Sequence, residues 1–249
     1  MSAHRLYTEY AALYDAAFDW DVSDQVASIS GLSGLAHGRV LEPMCGSGRL
    51  ARGFAAAGFT TVGVDNSREM LALAAQRYAQ AGLSGEWIEA DVTDFDLDEG
   101  CHLAVCPINS LAHLPTAAAM QSHLNAVARN LYTGSSYWIQ LDLWQPDTSV
   151  EAEAWEFDYR GETLRFEWEC LGYDAGFETH RSRCMFPDGR SVAETHRMKT
   201  WSFDRWTALL SLTTLDLSAA YANDTFAPLP VSKALDGRHV FWQQLVKSG

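Results

Sequence analysis

Residues Arg39–Arg68 combine, in order, a short apolar strand, a turn that contains Gly46 and Gly48, an alanine-rich helix, a β-branched strand and an acid, Asp65. In an open α/β sheet, this order brings the turn and the carboxylate together at the carboxyl ends of two neighbouring parallel strands. Glycines let the backbone approach a ligand closely because they carry no Cβ. An acid about 20 residues further on can accept hydrogen bonds from ribose hydroxyls. The segment therefore predicts an α/β fold that binds a cofactor containing a nucleoside.

The glycine spacing alone does not identify the nucleoside. Gly46, Gly48 and Ala51 fit the loose dinucleotide pattern G-x-G-x-x-G/A, which is a weak signal for NAD. Glu42 argues against NAD, because a carboxylate at the end of the first strand would repel a pyrophosphate and suits an ammonium or hydroxyl group. Asp91 lies at the end of a third predicted strand, where it can accept a hydrogen bond from an adenine amino group.

Four segments resemble motifs of the class I S-adenosylmethionine-dependent methyltransferases, and the resemblance extends over most of the chain. The segments are Glu42–Gly48, Val62–Ser67, Asp91–Val92 and Cys106–Leu114. The last has the form N-S-x-x-H-L, which resembles glycine N-methyltransferase and, in its histidine, the N-methyltransferases of deoxyaminosugars. Met44 departs from the pattern because it stands where the family usually has its first glycine.

The resemblance implies that S-adenosylmethionine is the cofactor and S-adenosylhomocysteine the product. It implies methyl transfer to a small polar molecule, with nitrogen favoured as the acceptor atom. An O-methyltransferase of a natural-product intermediate stays open, as do an NAD-dependent oxidoreductase and a protein that binds the cofactor without methyl transfer. The residues expected to bind the cofactor are Glu42, Met44, Cys45, Gly46, Gly48, Asp65, Asn66, Met70, Asp91, Val92, Pro107 and Tyr14.

The acceptor side of the site has two catalytic candidates. His113 follows the fourth predicted strand, and an imidazole with a pKa near ~6.5 suits proton acceptance around neutrality. Tyr14 resembles an N-terminal tyrosine that lies over the methyl group in the relatives, and Tyr7 and Tyr10 are weaker alternatives. Each candidate also has a structural interpretation, as a packed loop residue or as part of an aromatic helix stripe. The residues expected to contact the substrate are Asn109, His113, Asp142 and Trp144.

The order of predicted elements indicates a Rossmann-like, doubly wound, mostly parallel sheet of seven strands, with an antiparallel β insertion that covers the active site. Residues 4–30 are predicted to be helical. The predicted core strands are Val40–Cys45, Thr61–Asp65, Glu86–Val92, Leu103–Ile108 and Tyr137–Leu143. The predicted helices between them are Arg49–Ala57, Glu69–Ala81, a short segment in the nineties and Ala117–Leu131.

The pattern changes after Trp144. Residues 154–200 alternate as antiparallel strands, with Asp188-Gly189 as a hairpin turn. A helix, Phe203–Leu215, and two strands, Leu215–Tyr221 and His239–Val246, are predicted to follow. We expect one methyltransferase domain over residues 1–249: a helical cap (1–36), a cofactor-binding core (37–144), the β insertion (145–200) and a segment that completes the sheet (201–249).

The amino-acid composition limits the kinds of partner that the protein is expected to bind. The formal net charge of −14 disfavours a nucleic-acid or membrane partner, because no basic stripe is available to neutralise phosphates. The five cysteines show no metal-ligand spacing, so we expect no metal and reduced, buried thiols in a cytoplasmic protein without a signal peptide. Exposed edges in the insertion leave a homodimer open. The remaining histidines, including His180 and His196, show no visible pairing and are expected to be packed or exposed.

Overall fold

The computed structural model describes residues 4–143, 152–231 and 241–249. Two short 3-10 helices, Arg5–Tyr7 and Ser110–His113, occur beside the α-helices. The α-helices are α1 (Ala11–Ala17), α2 (Ser23–Ser33), α3 (Arg49–Ala56), α4 (Arg68–Gln80), α5 (Ala117–Asn130) and α6 (Phe203–Leu210). The strands are β1 (Arg39–Pro43), β2 (Thr60–Asp65), β3 (Glu86–Glu89), β4 (Cys101–Cys106), β5 (Leu131–Gln140), β6 (Ala152–Tyr159), β7 (Glu162–Asp174), β8 (Phe177–Met185), β9 (Ser191–Lys199), β10 (Leu215–Ala222), β11 (Pro228–Leu229) and β12 (Phe241–Lys247).

The larger sheet has the order β11-β10-β12-β5-β4-β1-β2-β3. Strands β1 to β5 run parallel to their neighbours, whereas β12 pairs antiparallel with both β5 and β10. The predicted mostly parallel sheet is confirmed, with the two-residue strand β11 added at one edge. The strand order reverses between β1 and β4, and the carboxyl ends of strands at such a reversal form the crevice where α/β sheets bind ligands.

Both faces of this sheet are covered, as buried parallel strands require. Successive side chains of a strand point to opposite faces, so the neighbours Val40 and Leu41 on β1 enter different cores. Val40 packs in the cluster with α2 and α3, which includes Ile29 and Phe54. Leu41 packs in the cluster with α5 and α6. The two layers hold the carboxyl ends of β1, β2 and β4 in fixed positions.

A second, antiparallel sheet with the order β6-β7-β8-β9 forms the predicted insertion. Alternate residues of β8 are buried, and its inner face carries Glu178, His180, Ser182 and Cys184. One end of this face packs on α1, where Phe166 and Cys184 cluster with Leu13. Helix α1 is in turn joined to α4 by the ion pair between Asp15 and Arg77. The sheet is thereby connected to the cofactor-side helices.

Some predicted elements are corrected. Residues 4–30 are not one helical stretch, because a non-helical segment separates α1 from α2. The nineties contain no helix: Asn130 donates to the carbonyl of Phe95 and accepts from the amide of Leu97, which holds that segment as an irregular loop. The predicted strand Glu86–Val92 ends earlier, at Glu89, and the predicted helix Phe203–Leu215 is only α6. Trp144 and His239 lie outside the described residues.

Two further observations concern partners and thiols. All five cysteines are described, and each is a buried thiol outside any disulfide, as predicted. Among the described residues, no helix combines the length and the apolar character needed to cross a bilayer.

Candidate active site

The turn after β1 has left-handed backbone at three alternate residues: Met44 (φ 57°), Gly46 (φ 52°) and Gly48 (φ 69°). Met44 thus adopts the conformation that a glycine would take at this step, at a cost of ~1–2 kcal/mol for a residue with a Cβ. Gly46 is open, because a Cβ at this residue would have Sδ of Met70, at 4.0 Å, as its nearest neighbour. At Gly48 a Cβ would lie 2.7 Å from the Trp87 ring, so this glycine makes room for Trp87.

Asp65 is fixed beside this turn at the end of β2. Its Oδ2 accepts a hydrogen bond from the Gly46 amide at 2.8 Å, and its Oδ1 accepts from the Ser67 amide at 2.9 Å. Burial raises the pKa of Asp65, and these backbone hydrogen bonds oppose that rise. A carboxylate has about four lone-pair sites, so it can accept further hydrogen bonds from a ligand. Asn66 is exposed next to it, and Met70 is buried in the first turn of α4.

Glu42 has a structural task that its sequence position did not reveal. Gly48, at the N-terminus of α3, has no side chain to cap the helix, and Oε2 of Glu42 accepts from the amide of Ala51 at 2.7 Å. Glu42 is only 2% exposed, and this burial raises its pKa to about 8. Its predicted contact with the cofactor stays a prediction.

The turn after β3 is held by a buried histidine that sequence reasoning missed. Oδ1 of Asp91 accepts from the amide and hydroxyl of Thr93, which lowers the pKa of Asp91. Burial lowers the pKa of His123 to about 4, so its ring is neutral at pH 7. The ring lies between the carbonyl of Val92 (Nδ1, 3.0 Å) and the hydroxyl of Tyr137 (Nε2, 2.9 Å). It therefore fixes the backbone at Val92.

The loop after β4 is strained and supported from β5. Ile108 and Asn109 both have positive φ, 51° and 57°, and positive φ is a genuine outlier for a β-branched residue. Gln140 holds both amides: its Oε1 accepts from Ile108 at 2.6 Å and its carbonyl accepts from Asn109 at 3.1 Å. Such strain persists only where surrounding contacts over-determine the backbone, and it is typical of functional loops. The N-S-x-x-H-L pattern gave no sign of Gln140.

Two predicted substrate contacts bond to each other. Nδ2 of Asn109 donates to Oδ2 of Asp142 at 3.2 Å, and the amide of Asp142 donates to Oδ1 of Asn109 at 3.1 Å. The pair ties the loop after β4 to the end of β5, which places both side chains on the same rim. Pro107 begins this loop directly after β4.

His113 lies at the end of this loop, and its Nε2 is 3.3 Å from the hydroxyl oxygen of Tyr7. Burial lowers the pKa of His113 to about 4 and raises the pKa of Tyr7 well above 10, so both groups are neutral at pH 7. The ring of Tyr14 packs edge-on against Tyr7, with centroids 4.9 Å apart. Tyr7, the weaker candidate in the sequence, is therefore the tyrosine that the structure brings to His113.

The N-terminal segment that carries Tyr7 is attached on two sides. The hydroxyl of Ser67, two residues after Asp65, donates to the carbonyl of Tyr7. On the other side, the carboxylate of Glu194 on β9 accepts from the amides of Arg5 and Leu6, each at 2.9 Å. The segment thus bridges the cofactor-side turn and the antiparallel sheet.

His180 and His196, which show no pairing in the sequence, are packed in the structure, as expected, within a cluster of histidine rings. The rings of His4, His113 and His196 lie 5.5–6.0 Å apart by centroid, and His180 stacks on His196 at 5.8 Å. His180 and His196 are register partners on β8 and β9. This pairing depends on the register between β8 and β9, which the sequence alone does not give.

The arrangement fits a cofactor that contains a nucleoside. The open backbone at Gly46, the carboxylate of Asp65 and the turn at Asp91 follow three adjacent strands at one edge of the sheet. The His113–Tyr7 pair adjoins this edge through Ser67.

Comparison with known proteins gives the same result. Residues 40–134 match a family model described as a methyltransferase domain, and no curated protein matches the chain in sequence. An S-adenosylmethionine-dependent methyltransferase from Clostridium acetobutylicum has a TM-score of 0.74 and 17% identity, over 97% of this chain and 98% of that one.

Two further solved structures share the fold. CalS10 from Micromonospora echinaspora, described as an amino pentose methyltransferase, has a TM-score of 0.74 and 17% identity, with 97% of each chain covered. The sugar N-methyltransferase KedS8 from a Streptoalloteichus species has a TM-score of 0.71 and 18% identity, over 96% of this chain and 93% of that one. At these identities the likeness concerns the fold.

The match to a methyltransferase domain favours S-adenosylmethionine over NAD, the two cofactors that the glycine spacing left open. The similarity of fold continues beyond residue 134, where the domain match ends. S-adenosylmethionine is the cofactor, as the motifs predicted. This enzyme contains a methyltransferase domain over residues 40–134, and it has the fold of the S-adenosylmethionine-dependent methyltransferases.

Proposed function

We propose that this enzyme methylates an amine nitrogen of a small polar molecule at the His113–Tyr7 pair. The observation that carries the proposal is the 3.3 Å contact between Nε2 of His113 and the Tyr7 hydroxyl, in a segment bonded through Ser67 to the turn of Asp65. Two neutral proton-transfer groups therefore stand beside the predicted cofactor site. We expect the acceptor atom to lie next to them.

The cofactor, when bound, supplies a methyl group on a positively charged sulfur, and the group that leaves is neutral. Because no acid is required, the protein contributes positioning and a site shielded from water. We assign the ribose to Asp65, the adenine to Met70 and the turn at Asp91 and Val92, and the backbone approach to Gly46. The half-buried rings of Tyr7 and Tyr14 shield the acceptor side from water.

An amine attacks only in its neutral form and sheds one proton after methylation. In the tautomer with hydrogen on Nδ1, Nε2 of His113 accepts from the Tyr7 hydroxyl, and the lone pairs of the Tyr7 oxygen face the acceptor. The proton of the methylated nitrogen then passes through the Tyr7 oxygen to His113 and on to solvent, because an imidazole with a pKa of about 4 does not retain it. Asn109 and Asp142 supply polar groups for the rest of the acceptor.

The preference for nitrogen has support from analogy. CalS10 and KedS8, whose folds this chain shares, are described as acting on an amino pentose and on a sugar nitrogen. Fold likeness does not fix a substrate, so the proposal rests on the neutral pair and on the net charge of −14 of the chain, which disfavours an anionic acceptor. O-methylation of a hydroxyl is the second candidate, because the polar groups of this loop can hydrogen-bond a hydroxyl as well as an amine.

The test is a methyl-transfer screen with S-adenosylmethionine against amino sugars, other small amines and their hydroxyl analogues. Mass spectrometry locates the added methyl, and S-adenosylhomocysteine formation gives the rate. We expect methylation on nitrogen, and His113→Ala to lower kcat while cofactor affinity changes less than about threefold. Methylation on oxygen alone would contradict the nitrogen assignment, and a large loss of cofactor binding in His113→Ala would contradict the role of His113.

A further inference from the structure

We propose that Cys170, Glu178 and His180, on the inner face of the antiparallel sheet, form a binding site for a thiophilic divalent cation such as Zn²⁺. The three side chains offer one sulfur, one carboxylate and one imidazole, and their ligand atoms all lie within 4.8 Å of one another. Nothing in the methyl-transfer reaction requires these residues. The inference therefore stands independently of the acceptor proposed above.

The register of β7 and β8 assembles the trio. Cys170 is the direct partner of His180 across the two strands. Glu178 precedes His180 by two positions, so its side chain points to the same face. The pairing shifts by one residue after Cys170, at a bulge next to Gly172. The ligands thus come from neighbouring strands of a rigid sheet, which is a favourable support for a metal site.

Two of the distances between the ligand atoms are close to those expected around a tetrahedral metal ion. Sγ of Cys170 lies 3.8 Å from Oε1 of Glu178, and Nε2 of His180 lies 3.0 Å from Oε2 of Glu178. Zinc bonds of ~2.3 Å to sulfur and ~2.0 Å to nitrogen or oxygen at tetrahedral angles place such ligand atoms ~3.3–3.5 Å apart. Only small side-chain shifts are needed to admit an ion.

Burial favours a cation at this position. The three residues are 4%, 5% and 1% exposed, and a bound cation stabilises a buried carboxylate and promotes loss of the thiol proton. Nδ1 of His180 is also buried and has no hydrogen-bond partner among the described residues. Only one nitrogen of the His180 ring can face Glu178. The other nitrogen of the ring therefore remains available to an additional ligand, whichever of the two faces Glu178.

The imidazole is held in place by its neighbours. The Trp168 ring lies 4.7 Å from the His180 ring by centroid, and the His196 ring stacks on it at 5.8 Å. A mixed sulfur, nitrogen and oxygen set favours Zn²⁺ or Co²⁺ over Mg²⁺ or Ca²⁺, which prefer oxygen ligands. Three protein ligands leave a coordination position open, as in zinc sites that bind water or a further ligand.

The test uses the untagged full-length protein, stripped of metal and titrated with Co²⁺, followed by competition with Zn²⁺. We expect one Co²⁺ per chain and a thiolate-to-cobalt charge-transfer band in the near ultraviolet, which Zn²⁺ abolishes. Cys170→Ser should remove this band and weaken Co²⁺ binding at least about tenfold, and Glu178→Gln should weaken it similarly. Circular dichroism shows whether each variant is folded.

Cys184→Ser is the matched control, because Cys184 is a buried thiol on the same sheet face that packs among apolar side chains, and it should leave the band unchanged. His196→Gln tests the adjoining histidine cluster and should also leave it unchanged. Absence of stoichiometric Co²⁺ binding in the wild type would overturn the proposal. So would a charge-transfer band that persists in Cys170→Ser or disappears in Cys184→Ser.

Discussion

The hydroxyl oxygen of Tyr7 lies 3.3 Å from Nε2 of His113, although 106 positions separate the two residues in the chain. This contact joins two distant parts of the chain, because Tyr7 belongs to the N-terminal segment and His113 to the loop after β4. The backbone of the same segment is bonded to Ser67 and Glu194, so one short stretch of chain connects the cofactor side with the antiparallel sheet.

Replacing Tyr7 by Phe tests this contact. The change removes the hydroxyl that bonds His113 and keeps the ring, so we expect kcat to fall about 10²-fold or more, the usual range for a proton-transfer group. Tyr14→Phe is the comparison, because the Tyr14 hydroxyl makes no hydrogen bond to His113 among the described residues and interacts with Tyr7 instead; its kcat should fall less than about tenfold. Steady-state rates of S-adenosylhomocysteine formation measure both, and a larger loss in Tyr14→Phe would restore Tyr14 as the catalytic tyrosine.

Gln140 should act as a positioning residue for the strained loop. Gln140→Ala removes the acceptor for the Ile108 amide, which lets the loop relax and displaces His113, so kcat should fall while cofactor affinity stays within about threefold. Gln140→Glu keeps an acceptor oxygen and should recover part of the rate. If Gln140→Ala lowered thermal stability and left kcat unchanged, a purely structural role would follow.

The packing beneath the glycine turn predicts that substitutions at Gly63 and Trp87 have coupled effects on stability. A Cβ at Gly63 would lie 2.6 Å from the Trp87 ring and 2.7 Å from Sγ of Cys45, so Gly63→Ala should cost ~1–3 kcal/mol of unfolding free energy. Trp87→Leu creates space at the same place. The double variant should be more stable than the sum of the single effects by about 1 kcal/mol in urea unfolding. Strict additivity would show that the two positions do not compete for space.

Glu42 makes stability depend on pH. Burial raises its pKa from 4.5 to about 8, so between these values the folded state holds a proton that the unfolded state has lost. Its contribution to stability is therefore complete below pH ~4.5 and is lost as pH rises through 8. From pH 6 to pH 8 the wild type should lose ~2 kcal/mol more than Glu42→Gln, which cannot titrate. Equal losses in urea unfolding would mean that Glu42 is charged when folded.

The sequence predicted the cofactor half of the site because its signals are local. A strand, turn and helix within Glu42–Gly48 and an acid at Asp65 determine their own neighbourhood, and the structure brings Asp65 to Gly46 as expected. Even here the reason for Gly48 was hidden, because Trp87 fills the space that its missing side chain leaves.

The acceptor half depends on contacts between distant segments. Tyr7 meets His113 only after the N-terminal segment docks, and His180 meets His196 only through the register of β8 and β9. Gln140 and His123 act through backbone groups, which leave no pattern in the sequence. Residue types alone favoured Tyr14 over Tyr7, whereas the structure brings Tyr7 to His113; the catalytic roles of these residues stay predictions.

Isothermal titration with S-adenosylmethionine, S-adenosylhomocysteine and NADH tests the central claim most directly. We predict ~1:1 micromolar binding of the two sulfur nucleosides, no heat from NADH, and a roughly 10- to 150-fold weaker affinity in Asp65→Ala, because a hydrogen bond to a charged acceptor contributes ~1.5–3 kcal/mol. Glu69→Ala, an exposed acid four positions later, should bind like the wild type. Binding of NADH alone, or full affinity in Asp65→Ala, would contradict the assignment of this site.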